Sequence, residues 1–74
     1  MTERLHRGHP ADDKLLTIGE AAAIVRAPVA TLRYWRHLGV GPCGFRVGRG
    51  LRYWRQDVID WLDEQRDATG PDAA

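Results

Sequence analysis

Apolar side chains recur at helical spacing from residue 18 onward. The first set lies at positions i, i+3, i+4 and i+7 and consists of Ile18, Ala21, Ala22 and Val25. This spacing predicts a short helix with one apolar face. Thr17 and Glu20 occupy the two positions of a capping box, in which each side chain accepts a hydrogen bond from the other residue's backbone amide. We therefore expect the helix to begin directly after Thr17.

A second helix is predicted over residues 28–38. Pro28 suits a first helical position, Leu32 and Trp35 are spaced to face inward, and Gly39 suits the end of a helix. Only Arg26 and Ala27 separate this helix from the first one. Two short helices joined by so tight a turn are typical of a helix-turn-helix.

Beyond Gly39 the period of the apolar residues changes from helical to alternating. The alternating apolar positions are Phe45, Val47, Leu51 and Tyr53. Arg46 and Arg52 lie between them, and Gly48-Arg49-Gly50 lies at the centre. This pattern predicts a β-hairpin with a three-residue loop, with the apolar side chains facing inward and Arg46 and Arg52 facing outward.

A last helix is predicted over residues 56–66. Val58, Trp61 and Leu62 have helical spacing, and Asp57 lies near the positive N-terminus of this helix. The pentapeptide LRYWR occurs both at residues 32–36 and at residues 51–55. The flanking sequence and the period differ, so we expect the first copy to be helical and the second to be mainly a strand.

The length of the chain limits the number of domains that it can form. The chain has 74 residues and one cysteine, so we expect a single small domain without an internal disulfide. We expect a flexible N-terminal arm at residues 1–14, a folded domain at residues 15–66 and a disordered tail at residues 67–74. No apolar run has the length of a membrane helix, so we expect a cytoplasmic protein that makes no membrane contact.

Charge is distributed unevenly along the chain. Residues 26–55 contain seven arginines and no Asp or Glu, whereas residues 56–74 contain six acidic residues and one arginine. A surface of mixed charge is usual for a soluble domain, so the arginine block indicates a polyanionic ligand. The alternative is that these arginines pair with the acids of the C-terminal segment. We favour nucleic-acid binding.

The chain lacks the residue patterns that most other classes of function require. His6, His9, His37 and Cys43 include no close pair suited to a tetrahedral zinc site. The chain has no nucleophile signature, paired carboxylates or phosphate-binding loop, so we expect neither an enzyme nor a cofactor. Trp35, Trp54 and Trp61 stand at core-facing or junction positions, which does not favour stacking on single-stranded bases.

Four segments together resemble a known family. Residues 16–22 (LTIGEAA), 31–35 (TLRYW), 45–50 (FRVGRG) and 56–62 (QDVIDWL) are similar to the small winged helix-turn-helix domains of phage excisionases and AlpA-type regulators. These are related to the DNA-binding domains of MerR-type regulators. The resemblance covers residues 15–66 and implies a mainly α fold with a small β-hairpin.

The resemblance implies a surface that binds double-stranded DNA. The second helix would enter the major groove with Val29, Ala30, Arg33, Tyr34, Arg36 and His37. The hairpin wing would contact DNA through Arg46, Arg49 and Arg52, and we expect further backbone contacts from Thr17, Arg26 and Arg55. The family usually has glycine and then serine or threonine where residues 26–28 stand in this chain.

The resemblance also implies a biological role. We expect an excisionase that binds several sites cooperatively near a phage attachment site, bends the DNA and directs the integrase toward excision. Monomers would associate head to tail on DNA. MerR-type regulators continue into a long dimerisation helix and often a sensor domain. The given sequence has one short helix at that point, so we expect no small-molecule effector here. Two alternatives stay open: a small transcriptional regulator, and a protein-interaction module that binds an integrase through Asp57, Asp60, Asp63 and Glu64.

Overall fold

The computed structural model of the protein describes residues 11–69, which form a winged helix-turn-helix. The order of elements is β1 (Leu15–Thr17), α1 (Ile18–Val25), α2 (Val29–Leu38), β2 (Gly44–Val47), β3 (Gly50–Trp54) and α3 (Arg55–Thr69). The three strands form an antiparallel sheet in the order β1-β3-β2. No helix within these residues is both long and apolar enough to cross a membrane.

Helix α1 begins as the capping-box prediction requires. The Thr17 amide donates to Oε1 of Glu20 at 2.9 Å, and the Glu20 amide donates to the Thr17 hydroxyl at 3.2 Å. Ala21 and Ala22 are buried on the inner face. The helix ends at Arg26, whose backbone is left-handed with φ 64° and whose amide donates to the Ala22 carbonyl at 2.7 Å.

Helix α2 begins one residue later than expected. Pro28 has an extended ψ of 149° and is the N-cap, so the first helical residue is Val29. The Pro28 carbonyl accepts from the amides of Thr31 and Leu32, which is the N-cap role rather than that of a first helical residue. Gly39, with φ 80°, ends the helix as predicted.

The hairpin loop has two residues rather than the predicted three. Val47 pairs with Gly50, which leaves only Gly48 and Arg49 between the strands. Gly48 has φ 60°, whereas Arg49 is not among the residues with positive φ. A positive φ at the first of two loop residues is typical of a type II′ turn, which places glycine there.

The shorter loop changes which side chains share a face of the sheet. Phe45 pairs with Arg52, and Gly44 pairs with Tyr53. Because side chains alternate along a strand, a shift of one residue moves all of β2's side chains to the other face relative to β3. The prediction that Phe45 and Val47 face inward with Tyr53 was therefore wrong. Val47 is 46% exposed, and Phe45 packs beside Trp54 with ring centroids 6.5 Å apart.

Strand β1 and its connection to α3 were not expected. Leu16 pairs with Tyr53 and is buried, although residues 15–17 are too few to show alternation in the sequence. Asp13, which we expected in a flexible arm, accepts a hydrogen bond from the Gln56 amide at 3.1 Å. The Arg55 amide donates to the Lys14 carbonyl at 2.8 Å. Residues 13 and 14 therefore hold the start of α3.

Helix α3 is longer than expected and completes the core. It runs to Thr69, although we expected disorder from residue 67. The Thr69 hydroxyl donates to the Gln65 carbonyl at 2.7 Å, so a side chain supplies a hydrogen bond to a carbonyl of the last turn. Val58, Leu32 and Tyr53 are the largest side chains that are fully buried. The expectations for residues 1–10 and 70–74 lie outside the described residues.

Candidate nucleic-acid interface

Helix α2 turns one face toward solvent. Leu32 is buried and Trp35 packs against the core, so the side chains on the opposite face of the helix are exposed. These are Ala30, Arg33, Tyr34 and His37, and Tyr34 is 60% exposed. The structure thus shows that these four side chains are exposed, and their contact with DNA stays a prediction.

Two further residues expected on the recognition surface lie nearer the core. Val29 is half-buried and packs against the core cluster, so only part of its side chain faces solvent. Arg36 is exposed and lies one turn after Leu32, on the flank of α2 beside the loop that leads to β2. The outward face of α2 therefore contains fewer residues than the six that were predicted for it.

Tyr53 connects the wing to this flank of α2. Burial raises the pKa of its phenol, while the positive charges of Arg36 and Arg33 act in the opposite direction. Both guanidinium groups are thus near enough to Tyr53 for their charges to act on it. This residue was predicted only as a core position, and nothing in the sequence indicated its proximity to the recognition helix.

The three wing arginines do not lie on one face. Arg49 is exposed in the loop at the tip. Arg46 pairs with Leu51 and shares its face of the sheet, whereas Arg52 pairs with Phe45 on the opposite face. We expected Arg46 and Arg52 on the same outward side. The two-residue loop separates them because it shifts the register of β2 by one residue.

Arg52 is held by its own strand. Its Nη1 donates to the Leu51 carbonyl at 2.9 Å, and the side chain is half-buried. The guanidinium also lies over Gly50, where an added Cβ would be 2.5 Å from Nη1. Arg52 therefore has a more fixed orientation than an exposed arginine such as Arg46.

The residues expected at the DNA backbone are exposed but dispersed. Arg26 occupies the turn between α1 and α2, beside the start of the recognition helix. The Thr17 hydroxyl already accepts a hydrogen bond from the Glu20 amide. Arg55 follows β3 at the end away from Arg49, and strand rise places the two roughly 17 to 20 Å apart. Arg55 is thus separate from the wing tip.

The arginine block is not neutralised by the acids of α3. Both ion pairs that join two residues of the described part of the chain belong to Arg66, which contacts Asp63 at 3.8 Å and Asp67 at 3.9 Å. None of the seven arginines from Arg26 to Arg55 forms an ion pair within residues 11–69. These positive charges therefore remain available to an anionic ligand.

His37 and Cys43 are the two residues of the candidate zinc-ligand set that the structure describes. Within residues 11–69, no three His, Cys, Asp or Glu side chains lie together in an arrangement that could hold a metal ion. Cys43 is exposed in the loop before β2, and His37 is exposed on α2. His6 and His9 lie outside the described residues.

Comparisons with known proteins agree with the helix-turn-helix fold. Residues 15–66 match the family described as helix-turn-helix domain. The chain is 31% identical over 71 residues to the transcriptional repressor DcmR of Methylorubrum extorquens. This match covers 93% of the chain but only 26% of the repressor, so the chain spans about a quarter of that curated relative. No solved structure matches the chain with significance.

Proposed function

The chain belongs to the helix-turn-helix domain family, a DNA-binding family, and we propose that it recognises specific sites in double-stranded DNA. The observation that carries the proposal is the arginine block. Seven arginines lie along α2, the wing, the turn before α2 and the first residue of α3, and none is paired with an acid within residues 11–69. Such a surface attracts phosphates and gives an affinity that falls with salt.

Helix α2 is the element that fits the major groove. Its exposed face carries Arg33, Tyr34 and His37 beside the small Ala30, which lets the helix approach base edges closely. Arg33 can bind guanine through two hydrogen bonds or hold a phosphate, and we favour the phosphate. Val29 and Ala30 can contribute apolar contact with thymine methyl groups. Base readout by one domain is therefore weak.

The wing supplies contacts on a second groove. Arg49 at the tip suits insertion into a minor groove narrowed by A·T base pairs. Arg46 and Arg52 project from opposite faces of the hairpin, which suits phosphates on either side of the inserted tip. Recognition would then depend on the shape of the DNA as well as on bases. Arg26, Arg55 and Thr17 are the further candidates for backbone contacts.

Control of transcription is the biological use that we favour. The specific observation is the match over 93% of the chain to a protein named as a transcriptional repressor. A helix-turn-helix domain that occupies a promoter site represses by excluding other proteins from that DNA. The partner of this function is duplex DNA, and it requires no enzymatic activity.

The resemblance to excisionases supports a second use. In that role the domain binds arrayed sites beside a phage attachment site, bends the DNA and directs an integrase. The acids of α3 are opposite in charge to the wing and would let adjacent copies associate head to tail. Asp57, which was expected on this surface, is buried, so the exposed acids are Asp60, Asp63, Glu64 and Asp67. The same acids would instead be the docking face if the domain served mainly to bind the integrase.

A band-shift titration at low and physiological salt tests DNA binding. Overlapping duplexes from around the protein's own gene and from any neighbouring attachment site are the probes. Arg33→Gln and Arg49→Gln should each weaken binding and reduce the salt slope by about one. Arg66→Gln is the matched control, because Arg66 lies on α3 among acids, and it should bind as the unaltered protein does. Equal binding by all four proteins would refute the proposal.

The same probes separate the biological roles. One complex at a promoter supports transcriptional control, and a ladder of position-sensitive complexes on an attachment-site fragment supports the excisionase role. Independent affinities at arrayed sites would contradict head-to-tail association. Loss of integrase binding in an Asp60→Asn, Asp63→Asn variant with unchanged DNA affinity would support the interaction-module role.

A further inference from the structure

The guanidinium of Arg52 lies closer to the wing tip than the place of this residue in β3 suggests. Gly50 and Arg52 are two positions apart on one strand and therefore share a face of the sheet. A Cβ added at Gly50 would be 2.5 Å from Nη1 of Arg52, 3.4 Å from Cζ and 3.5 Å from Nη2. The guanidinium thus covers Gly50, the residue that directly follows the loop of Gly48 and Arg49. Its charge is displaced by roughly 7 Å along the strand toward the tip.

Partial burial and one hydrogen bond hold the guanidinium in this position. Nη1 donates to the Leu51 carbonyl at 2.9 Å, and the side chain of Arg52 is half-buried. The exposed side chains of Arg46 and Arg49 make no hydrogen bond or ion pair to residues 11–69. Arg52 is therefore the wing arginine whose charge has a defined place before any ligand binds.

The backbone does not explain why residue 50 is a glycine. Positive φ angles occur at other glycines, such as Gly48, but not at Gly50. Gly50 pairs with Val47 as an ordinary strand residue, where a side chain usually stabilises the strand. A glycine within a strand often marks the close approach of another group. Here that group is the guanidinium of Arg52, because any Cβ at position 50 would displace it.

The remaining N–H groups of Arg52 are available to a ligand. Apart from the bond to the Leu51 carbonyl, its guanidinium makes no hydrogen bond or ion pair to residues 11–69. A planar guanidinium matches the geometry of phosphate oxygens. A side chain that is already ordered also loses less conformational entropy on binding than a free one does. An arginine held in this way is therefore suited to bind one phosphate tightly.

We propose that Arg52 anchors one backbone phosphate of DNA beside the wing tip, and that Gly50 is a positioning residue that gives its guanidinium room. This inference rests on the proposed function, and it identifies which wing arginine contributes most and what orients it. Because the anchored charge adjoins the loop, the phosphate that it binds would fix where Arg49 enters the groove. Arg46, which is exposed and on the opposite face, would contribute only through its charge.

The first test is Gly50→Ala in the full chain, which changes no charge. The nearest atoms to the added Cβ all belong to the end of the flexible Arg52 side chain, so the fold should be retained, with an undiminished Tm. Affinity for a duplex that the unaltered protein binds in the band-shift titration should fall roughly threefold to tenfold, because Arg52 loses its fixed orientation. Arg52→Ala should weaken binding more than its matched control Arg46→Ala does, although each removes one charge.

A double-mutant cycle shows whether Gly50 acts through Arg52. In an Arg52→Ala background, Gly50→Ala should have no further effect on affinity, because the guanidinium that the methyl group displaces is gone. Arg52→Lys keeps the charge and leaves Gly50 in place but lacks the planar fork. It should therefore bind more weakly than the unaltered protein, with an unchanged salt slope.

The outcomes separate this inference from the proposed function. Full affinity in Gly50→Ala, or an equal loss with and without Arg52, would overturn it. If Gly50→Ala lowers the Tm, Arg52→Lys decides: weaker binding supports the inference, and unaltered binding overturns it. DNA recognition as a whole fails only if Arg33→Gln and Arg49→Gln also bind as the unaltered protein does.

Discussion

The side chain of Asp13 accepts a hydrogen bond from the backbone amide of Gln56, with 3.1 Å between Oδ1 and the nitrogen. A carboxylate at this position satisfies one of the free amides at the start of α3 and lies at the positive end of the helix dipole. The link spans 43 positions of sequence and ties the segment before β1 to the last helix.

Replacing Asp13 by alanine should therefore destabilise the whole domain. Loss of a helix cap costs about 1 kcal/mol, which corresponds to a decrease in Tm of roughly 4 to 8 °C for a domain of this size. The matched control is Asp12→Ala, since Asp12 is exposed and makes no hydrogen bond within residues 11–69. Thermal unfolding of both variants measures the difference. Equal Tm values would mean that the Asp13 cap does not contribute.

The left-handed backbone of Arg26 predicts opposite effects on stability and on DNA binding. Its φ of 64° is unfavourable for a residue with a Cβ, so Arg26→Gly should raise the free energy of unfolding by roughly 0.5 to 1 kcal/mol. Arg26→Ala keeps the strain and removes the same charge. Both variants should lose the same DNA affinity, whereas only the glycine variant should be more stable than the unaltered protein in urea unfolding. A glycine variant no more stable than the alanine variant would contradict this explanation.

The contact between Gly44 and the Tyr53 ring predicts that even a methyl group is too large there. Gly44→Ala would place a Cβ 2.7 Å from Cε2, so the ring or the strand must shift at a cost of roughly 1 to 3 kcal/mol. Gly19→Ala is the control, because an added Cβ there would lie 3.9 Å from the Thr17 hydroxyl, an ordinary van der Waals contact. That substitution should be neutral or stabilising, since alanine favours helix. Urea unfolding should rank the two variants in this order, and the reverse order would refute the close packing.

Trp35 and Trp61 should be energetically coupled. Their ring centroids are 5.3 Å apart and their planes are tilted by 45°, a geometry in which aromatic pairs attract each other. A double-mutant cycle with Trp35→Leu and Trp61→Leu should give a coupling energy of about 0.5 to 1.5 kcal/mol. Additive losses of stability would show that α2 and α3 are not held together by this pair.

The raised pKa of Tyr53 predicts that the domain loses stability at alkaline pH. Burial raises its pKa in the folded domain above the ordinary value of 10.0, so the folded state holds the phenolic proton more tightly than the unfolded state does. The corresponding stability is fully present below pH 10.0 and is lost as the pH rises through the folded pKa. Urea unfolding from neutral pH to about pH 11 should show this loss in the unaltered protein and a smaller one in Tyr53→Phe. Parallel pH profiles would refute the assignment.

The local elements of this fold follow directly from the sequence. The capping box of Thr17 and Glu20, the end of α2 at Gly39 and the burial of Leu32 and Val58 each depend on residues within a few positions of one another. The arginine block is also a property of the sequence alone. These features suffice for the order of the three helices and the hairpin, although not for strand β1, and for the class of ligand that the chain favours.

The arrangement of the wing depends on long-range pairing. One residue in the hairpin loop decides whether Phe45 shares a face with Tyr53 or with Arg52, and both alternatives fit the same alternating pattern. Strand β1, the Asp13 cap and the position of Tyr53 beside Arg36 each join segments that are distant along the chain. The sequence by itself determined where the helices begin to within one residue, which residues are charged and which class of ligand the arginine block favours. Only the tertiary structure decided which of those charges face the same way, because side-chain direction in a sheet follows from register and not from composition.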